Sequence, residues 1–192
     1  MEKLPTSCDE RLQAIAQYYD DTWADYRWLW LNDENRAIHF GYEDAKRVSH
    51  AASLVATNRA LADLANIQSG ERVLDAGCGI GGSSLWLAAE LGATVFGITP
   101  VRTQVKLANA AANARQLCDL VKFKQADYAA TGFPDASFDV VWALESLCHA
   151  EEKISFYHES ARILRPGGRL VIAEYLRTER QLSPTNEELL KE

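Results

Sequence analysis

The chain has 192 residues, of which 47% are hydrophobic and 24% charged, enough for one well-buried core and against a disordered chain. Twenty Lys and Arg against 27 Asp and Glu leave a net charge of −7 with no basic cluster, which disfavours nucleic acid as the main partner. The longest apolar runs, such as Val140–Leu144, are far too short to cross a bilayer, so no transmembrane segment is expected.

The cysteines Cys8, Cys78, Cys118 and Cys148 are widely spaced and form no C-x-x-C pair, so a zinc ribbon and a disulfide framework are both disfavoured, and no metal site is expected. No charged-then-apolar leader opens the sequence, and a cytoplasmic protein with reduced thiols is the expectation.

In chain order, residues 1–65 read as a helical cap or lid. Tyr18, Tyr19, Trp23, Tyr26, Trp28, Trp30, Phe40 and Tyr42 crowd this stretch. Leu12, Ile15, Ala16, Tyr19, Trp23 and Tyr26 recur at helical spacing, and a second helical pattern runs from about Asp44 to Ala65. Ile38–Tyr42 between them is expected to be a loop. Such an aromatic stripe suits either a cap over a sheet edge or a lid that touches a ligand.

Residues 66–182 change texture: short apolar runs alternate with helical patterns, the signature of a parallel α/β sheet. Strands are expected at Arg72–Ala76, Ala93–Thr99, Leu120–Ala126, Phe138–Leu144 and Arg169–Tyr175, the last after a Pro166-Gly167-Gly168 turn. Helices are expected at Gly81–Leu91, closed by Gly92, at Val101–Leu117 and at Glu151–Leu164. Ser183-Pro184 reads as the start of a further helical segment over 183–192, with Ser183 as cap and Pro184 in the first turn.

The chemistry concentrates at Asp75-Ala76-Gly77-Cys78-Gly79-Ile80-Gly81-Gly82, between the first strand and its helix. Glycines there permit a tight turn and let a ligand approach the main chain and the helix N-terminus. The glycine spacing alone also fits a nicotinamide dinucleotide. That site usually needs an acid at the end of the second strand, however, and Ala93–Val101 holds none. Asp75 beside the glycines would repel a pyrophosphate but suits a cation. S-adenosylmethionine, with an ammonium, a sulfonium and no phosphate, meets that condition.

Val73–Gly82 resembles the first motif of the class I S-adenosylmethionine-dependent methyltransferases. Gln125-Ala126-Asp127-Tyr128, Phe138-Asp139-Val140-Val141-Trp142 and Leu164–Leu170 resemble their later motifs in the same order. Tyr18-Tyr19-Asp20, Ile38–Tyr42, Gly97-Ile98-Thr99 with Gln104, and Glu145-Ser146-Leu147-Cys148-His149 narrow the resemblance to the γ-tocopherol, sterol and coclaurine methyltransferase group.

The resemblance implies a Rossmann-like doubly wound parallel sheet with a helical N-terminal lid. It also implies methyl transfer from S-adenosylmethionine to a small, lipophilic acceptor at carbon, nitrogen or oxygen. Gly77 and Gly79 would pack against the methionine part of the cofactor and Asp75 would orient the loop and the ammonium end. Thr99 and Gln104 would reach the ribose, Asp127 and the Tyr128 amide the adenine, and Tyr18 or Tyr19 the carboxylate end, with His39 or Tyr42 closing over it. Glu145 and His149 follow the fourth strand and are the candidates for general base or acceptor contact.

The family usually continues into a sixth and seventh strand, which this sequence does not reach. A self-associating open sheet edge is therefore expected. The alternative reading is a non-catalytic S-adenosylmethionine-binding module or an inactive short form.

Overall fold

The computed structural model describes residues 8–31, 35–43, 49–150 and 152–175. The expected helix start at Ser183, the first residues of the second helical pattern and Glu151 lie outside them. Five parallel strands, β1 (Arg72–Ala76), β2 (Thr94–Thr99), β3 (Val121–Gln125), β4 (Phe138–Leu144) and β5 (Leu164–Ala173), form one sheet in the order β3-β2-β1-β4-β5. This is the Rossmann-like architecture expected from the alternating pattern.

A parallel sheet is covered on both faces, so its central strands are apolar throughout rather than alternating. β4, Phe-Asp-Val-Val-Trp-Ala-Leu, is buried at every position. One face packs Val73, Val95, Val121, Val140 and Trp142 beneath α4 (Gly82–Leu91) and α5 (Arg102–Ala114). The other packs Leu74, Ile98, Phe138 and Val141 against Phe156 and Ile163 of α6 (Lys153–Ile163).

The chain order reverses between β1 and β4. There the loops leaving the two strands diverge and open a crevice at their carboxyl ends. α4 ends where expected: Gly92 is left-handed, φ 68°, and its amide closes on Ala88 O.

The N-terminal region forms α1 (Cys8–Asp21), the single turn α2 (Trp23–Asp25) and a π-helical turn Tyr26–Trp30, then an irregular Ile38–Tyr42 and α3 (His50–Leu64). Ser49 caps α3 by accepting from the Ala52 amide at 3.2 Å.

The Pro166–Gly168 turn takes a different form from the one expected. Phe138 pairs with Leu164 and Val140 already with Arg169, so Arg165–Gly168 bulges out of β5 rather than preceding it. Gly167 takes φ 81°, which gives the bulge its bend. α5 also stops short of Leu117, because Gln116 at φ 57° ends the helical run.

Candidate functional site

An open cavity lies at the crevice between β1 and β4, with α1 and the Arg36–His39 segment forming its outer wall. At its base, the amides of Gly77 and Cys78 both bond Ile98 O at 2.9 Å, which ties the glycine loop to β2. Gly77 holds φ 98°, and a Cβ there would fall 2.3 Å from that of Ser146. Gly79 holds φ 52°, with Ile38 of the outer wall 3.0 Å from where its Cβ would be. A side chain at Gly77 would collide with Ser146, and one at Gly79 would be strained by its positive φ and press on Ile38, so the loop presents backbone to the cavity.

Asp75 is 3% exposed at the end of β1 and its Oδ2 accepts from Ser84 Oγ at 2.5 Å. Burial pushes its carboxyl up to about 6, against the downward pull of the Ser84 bonds. Beyond β2, Thr99 Oγ1 donates to Gln104 Oε1 at 2.7 Å and accepts from the Val101 amide. Gln104 is 5% exposed, which separates it from an ordinary surface helix residue.

Asp127, just past β3, divides its oxygens: Oδ1 accepts from the Ala129 amide at 2.9 Å, and Oδ2 accepts from Arg11 of α1 at 3.1 Å. Tyr128 is buried, and its hydroxyl donates to Ser146 O at 3.3 Å. Burial pushes that phenol up to about 12.

Past β4, Glu145 accepts from the Phe40 amide at 3.0 Å, so the carboxylate is joined to the outer wall. Burial raises its pKa, helped by the Glu174 charge and opposed by the Phe40 bond. His149 Nε2 lies 2.8 Å from the Tyr19 hydroxyl. Burial, with Tyr26, Cys148, Tyr18 and Tyr175 acting the same way, raises the Tyr19 phenol, so Tyr19 keeps its proton beside the imidazole. Burial lowers the His149 pKa, partly offset by Glu174.

The structure thus brings Tyr19, Asp75, Gly77, Gly79, Thr99, Gln104, Asp127, Tyr128, Glu145 and His149 to one cavity. Tyr18 is not in its wall. It is 49% exposed and meets Tyr19 edge-on at 5.3 Å, because successive helical residues point about 100° apart. Tyr42 is likewise exposed, whereas His39 lines the cavity.

Arg11 had no signal in the sequence: a lone arginine on a helix is normally solvated, and only the docking of α1 brings it to Asp127 and His149 O. Ser146 was quoted only within a motif. Its Oγ donates to Ala76 O at 2.6 Å and so joins the ends of β1 and β4. Among the described residues no cluster of His, Cys, Asp and Glu could hold a metal. No described helix is long and apolar enough to cross a membrane.

The family described as "Methyltransferase domain" matches residues 74–172, more than half of the chain. The chain belongs to the class I S-adenosylmethionine-dependent methyltransferases, in the tocopherol and sterol methyltransferase group. The cofactor of this family is S-adenosylmethionine.

Among its relatives is 27-O-demethylrifamycin SV methyltransferase of Amycolatopsis mediterranei (strain S699), 35% identical over 172 residues, which cover 90% of this chain and 59% of that one. Another is the chloroplastic tocopherol O-methyltransferase of Arabidopsis thaliana, 33% identical over 180 residues, 88% of this chain and 51% of that one. The chain thus spans 59% and 51% of the lengths of these two curated relatives. The solved structure of the [4+2]-cyclase SpnF superposes with a TM-score of 0.74 at 31% identity, over 85% of this chain and 60% of that one.

Proposed function

We propose that the cavity binds S-adenosylmethionine and that the protein to which this chain belongs transfers its methyl group to a small, largely apolar acceptor. The observation that carries this reading is the pairing of a glycine loop with buried Asp75 at one end of the cavity and Asp127 at the other. A cationic ammonium and sulfonium, and the adenine amino group, match two carboxylates as a pyrophosphate would not.

The residues fit that group. Gly77 and Gly79 offer bare backbone to the methionine part, Asp75 a counter-charge, Thr99 and Gln104 hydrogen-bonding groups for the ribose, and Asp127 with the Tyr128 amide an acceptor and a donor for adenine. When bound, the cofactor supplies an electrophilic methyl on a good leaving group. The chain's own part is mostly positioning, which can account for much of the rate in an in-line displacement.

Glu145, fixed by the Phe40 amide, places negative charge at the end of β4, where it stabilises a cationic centre. His149 is neutral near pH 7 and held by Tyr19, so it is placed to take a proton from an acceptor hydroxyl or amine once that bond yields.

The small molecules named for the relatives, a 27-O-demethylrifamycin and a tocopherol, motivate the acceptor class proposed here. The direct test is incubation with methyl-labelled S-adenosylmethionine and a panel of apolar phenols, alcohols and amines. Label in at least one acceptor is expected. Stoichiometric binding of the cofactor with no label in any acceptor would count against it.

That outcome would instead favour a second reading, a cofactor-binding scaffold without methyl transfer. It has a specific support: the [4+2]-cyclase with the same fold is described by a reaction other than methylation.

A further inference from the structure

Glu174, just past β5, has no part in the assignments above. It is partly buried, and both of its oxygens are engaged. Oε1 accepts from the Tyr175 amide at 3.1 Å, and Oε2 reaches the neighbouring loop and accepts from the Cys148 amide at 3.0 Å. Bonds from amides to a carboxylate are charge-assisted and among the stronger ones. The loop held in this way is the one that carries Glu145 and His149. The Glu145 amide donates to Ala173 O at 2.8 Å, so the loop is tied to the end of β5 at both Glu145 and Cys148. Leu147–His149 is a single 3₁₀ turn, and its bond from the His149 amide to Ser146 O is long, 3.4 Å. Hydrogen-bond geometry in such turns is poor, so outside anchors fix its position. They are Glu174 on one side and, on the other, Arg11, which donates to His149 O at 3.1 Å.

The two anchors act oppositely on the ring. The charged and titratable groups gathered round His149 are Arg11 and Tyr19 of α1, Asp127 and Tyr128 beyond β3, Glu145 and Cys148 of its own loop, and Glu174 with Tyr175 past β5. The Arg11 charge disfavours the imidazolium, as burial does, and the Glu174 charge favours it. Once His149 has taken a proton from the acceptor, Glu174 is the carboxylate that offsets Arg11. We propose that Glu174 is a positioning residue for His149: its carboxylate fixes the turn through the Cys148 amide and supplies the counter-charge for the protonated ring. This deepens the methyltransferase reading and rests on it.

The test is an NMR titration of the His149 imidazole in the wild type, Glu174→Gln and Glu174→Ala, with the signal identified by its loss in His149→Ala. The Glu174 charge also raises Glu145, so the ring signal, rather than turnover, isolates the pair. Glu174→Gln keeps an oxygen for the Cys148 amide and removes the charge. It is expected to move the His149 midpoint to lower pH and to leave hydrogen exchange at the Cys148 amide as in the wild type. Glu174→Ala should move the midpoint in the same direction and speed that exchange by about tenfold or more, in keeping with the lost bond. A midpoint unmoved in Glu174→Gln, or an exchange rate unmoved in Glu174→Ala, would overturn the proposal. In turnover, the acid limb of kcat should move with the His149 midpoint in Glu174→Gln. A midpoint that moves while the acid limb stays would take the pair out of the chemistry. A wild type that binds S-adenosylhomocysteine but methylates nothing would overturn the parent reading, and the titration would still decide the coupling of Glu174 to His149.

Discussion

At the scale of single residues, the site is built from polar groups whose surroundings oppose their usual ionisation. Asp75 is the clearest. Its folded pKa of about 6 lies above the reference 3.8, because burial disfavours the anion. A raised acid pKa means that the folded chain holds this proton when the unfolded chain has released it. Stability of the ligand-free protein therefore falls as pH rises from about 4 through about 6, then levels off, by an amount of order 3 kcal/mol for this group. Urea midpoints across that range should show the fall in the wild type and a flatter line in Asp75→Asn. Equal slopes would contradict the assignment.

A cationic ligand would relieve the penalty by favouring the anion, so binding near pH 6 should release protons. Titrations in buffers of different ionisation enthalpy would register this.

Glu145 and His149 divide differently. Both hold bonds within the wall, to Phe40 and Tyr19, and neither is expected to anchor the cofactor. Glu145→Gln and His149→Ala should each lower turnover by roughly 10²–10⁴ while leaving cofactor affinity within about threefold. Unchanged turnover in both would remove them from the chemistry. Lost binding in both would make them cofactor contacts instead.

Among the elements, α1 behaves as a strap. Arg11 reaches Asp127 and His149 O, Tyr19 reaches the His149 ring, and Asp20 accepts from Thr103 of α5. One helix thus spans the loops after β3 and β4. Its hold is polar and partly exposed, the kind of contact that opens locally at low cost.

Arg11→Ala is expected to raise amide hydrogen exchange across α1 by about tenfold, in keeping with a lost charge-assisted bond worth about 1.4 kcal/mol or more. S-adenosylhomocysteine should slow that exchange in the wild type. Exchange in α1 that neither change affects would show that the strap is not coupled to the site.

The limits of the sequence show at the same scale. The strands and α4 were legible because parallel strands buried on both faces leave unbroken apolar runs, and because Gly92 marks a helix end. The glycine loop was legible because its glycines lie between a strand and a helix. What was not legible depended on docking: Arg11 and Ser146 carry no local signature, and the choice between Tyr18 and Tyr19 turned on which way α1 faces. The bulge at Arg165–Gly168 read as a turn, since a left-handed glycine serves either purpose.

For the whole molecule, a five-stranded parallel sheet places its switch point between β1 and β4, and the glycine loop, Ser146 and Glu145 gather there as a consequence. Among the described residues β5 pairs only with β4, leaving its outer edge open. A 192-residue polypeptide of this sequence is expected to associate through that edge, and light scattering should find dimers or larger species. A strictly monomeric sample that unfolds cooperatively would contradict this.

The central claim is that the cavity takes S-adenosylmethionine and its demethylated product rather than a dinucleotide. Calorimetric titration of this chain with S-adenosylhomocysteine and with NAD tests it most directly. Binding of one S-adenosylhomocysteine per chain is expected, weakened about tenfold to a hundredfold in Asp127→Ala, with no heat from NAD. NAD binding in the absence of S-adenosylhomocysteine binding would contradict the account.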